Sequence, residues 1–163
     1  MIAFSSLISL LIVGVWLTGS AILRNRVPVA APPGAAERLK TYLTSNVVET
    51  SGDHSFPELR TRVFELEPDE LLDYARRACE RLGWNDVGVD PQQRKVRAQV
   101  RTPLLRFVDD LEARVERAGS KSAKLEVRSR SRIGRGDLGA NARHVLDLYE
   151  SVDALIAQDA AGG

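Results

Sequence analysis

Residues Leu105–Ile133 read LRFVDDLEARVERAGSKSAKLEVRSRSRI, and this stretch decides the fold. Alternation with a period of two predicts a β-hairpin, with strands over Arg106–Glu116 and Lys124–Ile133 and a turn around Ala118–Ser122. One face collects Phe107, Asp109, Leu111, Ala113 and Val115, answered by Leu125, Val127, Ser129, Ser131 and Ile133. The other collects Val108, Asp110, Glu112, Arg114 and Glu116, answered by Lys124, Glu126, Arg128, Arg130 and Arg132. The first set is mostly apolar and faces inward; the second stays in water.

The charges select the register, because like charges directly opposite each other destabilise a strand pair. Setting Val115 opposite Leu125 brings Glu116 to Lys124, Arg114 to Glu126, Glu112 to Arg128 and Asp110 to Arg130. A slip of two residues either way sets Glu against Glu126 and Arg114 against another cation. A slip of one drives the apolar set into solvent. The same register turns Asp109 inward, opposite Ser131 and beside Ser129, where a buried carboxylate is costly unless it is satisfied.

Working upstream, Arg94–Thr102 and Trp84–Val89 form a second predicted hairpin about Asp90-Pro91-Gln92-Gln93. Pro68–Leu82 is an amphipathic helix: Pro68 opens it, Asp69 and Glu70 suit its positive end, and Gly83 closes it. Its stripe is Leu71, Leu72, Ala75, Ala78, Cys79 and Leu82. Thr61–Leu66 is a short strand, Glu49–Pro57 a loop and Glu37–Val48 a short helix. Downstream, Gly134-Arg135-Gly136-Asp137-Leu138-Gly139 is a corner with Asp137 as candidate N-cap. It leads into a last helix over Leu138–Ala157. Strand, helix, four strands and helix make an α+β two-layer domain, a mostly antiparallel sheet with its helices on one face.

The N-terminus is of another kind. Ile2–Leu23 holds no charged side chain, and about 22 residues at ~1.5 Å each span roughly 33 Å, enough for the hydrocarbon core of a bilayer. Trp16 and Arg24-Asn25-Arg26 suit an interfacial flank. No basic residue precedes the run, which favours a retained transmembrane anchor over a cleaved signal. Arg24 and Arg26 lean toward a cytoplasmic domain on a single-pass membrane protein. The expected organisation is an anchor over 1–26, a linker over 27–47, one α+β domain over 48–157 and a frayed tail over 158–163.

Composition narrows the function. The 163 residues carry 23 basic and 22 acidic side chains, a balance that gives no case for nucleic acid. Most cations of the Lys121–Arg135 run have a carboxylate across the hairpin, and aromatics to stack bases are scarce. Cys79 is the sole cysteine, so neither a disulfide framework nor a thiolate cluster exists. His54 and His144 lack ligand spacing; no metal and no cofactor is expected.

Two motifs stand out: F-V-D-D-x-E (Phe107, Val108, Asp109, Asp110, Glu112) and R-S-x-S-R-x-G-x-x-D-x-G-x-N (Arg128, Ser129, Ser131, Arg132, Gly134, Asp137, Gly139, Asn141). Together they resemble the bacterial and plastid family catalogued as domain of unknown function number fourteen ninety-nine. The resemblance covers roughly Val48–Leu155 and takes in His54 and Pro57. Ala142, Arg143 and His144 depart from the more basic residues that members often carry there. The label implies no reaction, substrate or cofactor.

The candidate cluster is Asp109, Ser129, Ser131, Asp137 and Asn141, read either as a clasp fixing the last helix to the hairpin or as the floor of a small-ligand pocket. Asp109 and Asp110 diverge as strand neighbours and cannot form a facing acid/base pair. Ser131, His144 and Asp109 could be combined as a triad, but no nucleophile elbow accompanies them. The glycines of IGRGDLGAN match neither Walker A nor a dinucleotide fingerprint, and phosphate binding there is a minor alternative. The outward strip is Asp110, Glu112, Arg114, Glu116, Lys124, Glu126, Arg128 and Arg130, ion-paired. These features suggest a non-enzymatic, membrane-anchored domain that binds a partner protein or lipid-derived ligand. The alternative is an enzyme acting on a small or lipid substrate through Asp109, Ser129 and Ser131.

Overall fold

The computed structural model describes residues 2–102 and 107–162, with side chains from residue 12 onward. Its elements are α1 (Ile2–Arg24), α2 (Ala35–Thr44), β1 (Val47–Glu49), β2 (Arg62–Phe64), α3 (Pro68–Arg81), β3 (Asn85–Asp90), β4 (Lys95–Arg101), β5 (Val108–Arg117), β6 (Ala123–Ser131) and α4 (Ala140–Gly162). A 3-10 turn lies at Pro57–Leu59. An antiparallel sheet with four helices makes the domain α+β.

The strands run β1-β6-β5-β4-β3, and β2 shares the outer edge of β6 with β1. The central hairpin takes the register that its charges demand: Val115 faces Leu125, Glu112 faces Arg128 and Asp109 faces Ser131. Burial alternates along both strands, with Leu111, Ala113, Val115, Ala123, Leu125 and Val127 all enclosed. Leu71, Ala75, Ala78 and Cys79 of α3 and Val145, Leu148, Tyr149 and Val152 of α4 close over that face. Each large apolar side chain so enclosed contributes about 1.5–3 kcal/mol. Burial also lifts the Cys79 thiol to about 12, so it serves as a small hydrophobe.

Several expectations are corrected. Phe107 and Ile133, assigned inward, are 39% and 62% exposed. Arg106, expected to open the strand, lies outside the described residues, as do Pro103 and Leu104. The segment around Val48, read as the end of a helix, is instead β1, paired with β6. Where a frayed tail was expected, α4 continues to Gly162, and Asp159 accepts bonds from Tyr74 Oη at 3.2 Å and Arg77 at 2.8 Å.

The expected linker belongs to the domain. Arg38 of α2 is fully buried and donates to Ala31 O at 2.9 Å and Pro32 O at 2.5 Å. Two more bonds, at 2.5 and 2.9 Å, reach the Glu58 carboxylate beside the 3-10 turn. Its guanidinium lies 4.3 Å from the Phe56 ring centroid. A buried arginine needs this full set of partners, which ties the Pro/Ala/Gly segment down. Val27, 7% exposed, and Ile22, 5% exposed, join the core. Among the described residues no helix is long and apolar enough to cross a membrane; the side chains of residues 2–11, where the expected span begins, lie outside them.

Candidate functional site

The inward cluster forms where the end of the central hairpin meets the first turn of α4. Strand alternation aims Ser129 and Ser131 at the helix, and helical spacing puts Asn141 and His144 on one face of α4. Asn141 joins the two serines. Its Oδ1 accepts from Ser129 Oγ at 2.6 Å, and its Nδ2 donates to Ser131 Oγ at 2.9 Å. A third bond, Nδ2 to Asn46 O at 3.0 Å, reaches the strand edge. Asn141 and Ser129 are 0% exposed, so these bonds close without water.

Asp137 starts the helix. Its Oδ1 accepts from the Gly139 amide at 2.8 Å and its Oδ2 from the Asn141 amide at 3.0 Å. Burial raises the Asp137 carboxyl above its ordinary value, against the pull of those amides. Asn46 had no signal in the sequence, since its part depends on β1 lying against β6.

Asp109 is satisfied differently from expectation. The serines and helix amides that were to hold it are taken by Asn141 and Asp137. Its Oδ2 instead meets His144 Nε2 at 2.9 Å, and Oδ1 has no hydrogen-bond partner among the described residues. The Trp84 ring stands edge-on to His144 with centroids 6.3 Å apart. Neither serine hydrogen-bonds to this pair among the described residues, so the triad drawn from Ser131, His144 and Asp109 is not assembled.

The glycine corner packs against α2. A Cβ on Gly136 would sit 2.3 Å from Leu43 O, and one on Gly139 would sit 2.8 Å from Val27 Cγ2. The Leu138 amide donates to Tyr42 O at 2.9 Å and the Asp137 amide to Ser45 O at 3.2 Å, capping the end of α2. These amides are engaged within the fold, which removes the basis for a phosphate loop.

On the solvent face the strip has the expected register, but its ion pairs run partly elsewhere. Lys124 meets Glu116 at 3.0 Å, as expected, and Glu126 at 2.7 Å. Glu112 is drawn to Lys95 at 2.9 Å and Arg97 at 3.3 Å on β4, not to Arg128. Arg128 reaches Glu49 at 3.6 Å, and Arg114 reaches Glu116 at 3.6 Å. Asp110 turns to Arg132 at 2.6 Å, which holds its carboxyl below the ordinary range. No carboxylate among the described residues lies within 4.0 Å of Arg130. A groove of about 410 Å³ opens here between Arg97, Gln99, Asp110, Glu112, Arg128 and Arg130. Among the described residues, no three His, Cys, Asp or Glu side chains converge to hold a metal ion.

Fold and cluster thus define a single α+β domain closed at one end by a polar clasp. The chain belongs to the family described as "Protein of unknown function (DUF1499)", whose model matches residues 29–152. That span takes in α2 and the segment held by Arg38, in keeping with a domain that starts well before β1. No curated protein matches the chain.

Proposed function

We propose that this protein is a membrane-anchored, non-enzymatic domain that binds a partner protein or lipid-derived ligand near the membrane surface. The carrying observation is the closure of the inward cluster: both serines are buried and bonded to Asn141, so neither hydroxyl is presented to a substrate. Recognition then falls to the solvent face of the sheet, where Arg97, Arg128 and Arg130 alternate with Asp110 and Glu112 around the groove. Mixed charge of this kind favours specificity and orientation over raw affinity. The uncharged run Ile2–Leu23 supports the anchor, and Arg24 with Arg26 favours a domain on the cytoplasmic side.

A second reading, an enzyme acting on a small or lipid substrate, draws support from the Asp109–His144 pair. A histidine oriented by a buried carboxylate is a common general-base arrangement. Native mass spectrometry of the detergent-extracted full chain separates the two. Binding through the sheet predicts a retained protein or lipid that is lost in Arg128→Glu/Arg130→Glu and kept in Asp109→Asn. Retention sensitive to Asp109→Asn and indifferent to the arginines would overturn the first reading in favour of the second.

A further inference from the structure

The end of the sheet nearest α1 has a composition unlike the rest of the surface. Arg101 pairs with Val108, and the Arg132 amide donates to Val108 O at 3.2 Å, so Arg101, Val108 and Arg132 form one outward row across three strands. The next outward row is Gln99, Asp110 and Arg130. Beyond both, Phe107 and Ile133 project at the tip, 39% and 62% exposed. Arg135 follows on the exposed corner. Arg101, Arg130 and Arg135 have no carboxylate within 4.0 Å among the described residues. The acidic groups near these rows are Asp110, bound to Arg132, and Asp86 at the start of β3.

The same end receives α1. Asn25 Nδ2 donates to Leu138 O at 2.9 Å, and Val27 packs on Gly139. Leu138 and Gly139 lead into α4, whose first turn is bonded to Ser131 and Asp109 at this edge of the hairpin. The end of α1 and the Phe107/Ile133 tip therefore flank one corner of the domain. Leu23, 76% exposed, and the exposed Arg24 and Arg26 lie on the α1 side of it.

We propose that this corner docks on the bilayer: Phe107 and Ile133 enter the interfacial layer at the tip, and Arg101, Arg130 and Arg135 bind anionic lipid headgroups at the same end of the sheet. The proposal rests on the anchor reading above. Exposed apolar side chains at a sheet end whose outward rows carry unpaired cations suit an anionic membrane surface, where each basic residue adds attraction and the apolar groups gain by leaving water. At the opposite end Lys124 is held by Glu116 and Glu126, Arg117 by Glu67 and Arg94 by Asp69. The tether also sets which end meets the membrane, because Asn25, the residue after α1, is bonded to Leu138 at this corner.

The test uses the full chain reconstituted into vesicles, with single cysteines introduced by Ile133→Cys or Val63→Cys and labelled with an environment-sensitive dye. Cys79, 0% exposed, leaves each introduced thiol as the reactive one. Val63 is 58% exposed on β2, paired with Lys124 at the far end, and serves as control. In vesicles of three parts phosphatidylcholine to one of phosphatidylglycerol, the label at 133 should shift to the blue while that at 63 stays aqueous. Arg101→Glu/Arg130→Glu/Arg135→Glu should abolish the shift. Equal, aqueous signals at both sites would overturn the proposal and leave the anchor intact. A shift of the same size in phosphatidylcholine alone would leave the arginines no part and overturn it as stated. Release of the unlabelled chain from vesicles by alkaline carbonate would remove the anchor reading and the docking with it.

Discussion

The Asp109 carboxylate meets the His144 imidazole at 2.9 Å, Oδ2 to Nε2, with both residues buried, and so joins the central hairpin to the last helix. Its neighbour Asp110 points the other way, into an exposed pair with Arg132. One peptide unit therefore carries two carboxylates of very different energetic standing.

Asp109→Ala should accordingly destabilise the domain more than Asp110→Ala. The first strips His144 of its buried partner, at a cost of about 1–3 kcal/mol. The second removes a surface ion pair of about 0–1 kcal/mol. Urea unfolding of both variants measures the difference, and equal midpoints would count against the face assignment.

Asn141 should be the most sensitive polar residue of the clasp. Asn141→Ala leaves Ser129 Oγ, Ser131 Oγ and Asn46 O short of a partner in one enclosed place, a loss on the order of 3 kcal/mol. Ser129→Ala removes one bond and should cost about 1 kcal/mol. In a double-mutant cycle the two losses should fall well short of additivity, because they share an interaction. Strict additivity would mean that the clasp does not act as a unit.

Gly136→Ala should destabilise by about 1–3 kcal/mol, since the new Cβ would meet the Leu43 carbonyl, a backbone atom with little freedom to retreat. Gly52→Ala is the control, because nothing lies within 4 Å of a Cβ built there. Thermal unfolding of the two should differ clearly; matching curves would show that the corner can move off α2.

The register of β5 and β6 and the inward turn of Asp109 were legible because they depend on alternation and on charges facing one another across a single hairpin. Partners supplied from elsewhere were not. Lys95 and Arg97 take Glu112 from β4, and Arg132 takes Asp110 diagonally, as a twisted sheet allows long side chains to do. β1 is only three residues long and is a strand because β6 offers an edge, which no local propensity reveals. His144 could be set beside Asp109 only on paper, because the two lie 35 residues apart in the chain. The Arg38 clamp was the least legible feature. Its partners are two carbonyls of a proline-rich segment and a glutamate 20 residues on, and its composition alone reads as a spacer.

That clamp should give the protein its clearest acid sensitivity. Burial tends to raise the Glu58 carboxyl, but the bonds from Arg38 outweigh it and hold the group below its ordinary value of 4.5. A carboxyl depressed in the folded state contributes stability that is fully present above the unfolded value. That contribution is lost as the pH falls through the folded one. Between neutrality and roughly pH 5 the term should be flat, and it should decline at lower pH. Glu58→Gln does not titrate, so its stability curve should lack this part of the acid limb. It should also lie lower at pH 7, on the order of 3 kcal/mol, because Arg38 is left buried without its counter-charge. Loss of the clamp should further free residues 27–34, giving faster limited proteolysis there than in the parent chain. Denaturant melts of both proteins across the acid range test the first effect; an acid limb of unchanged slope in the variant would show that Glu58 is not its source.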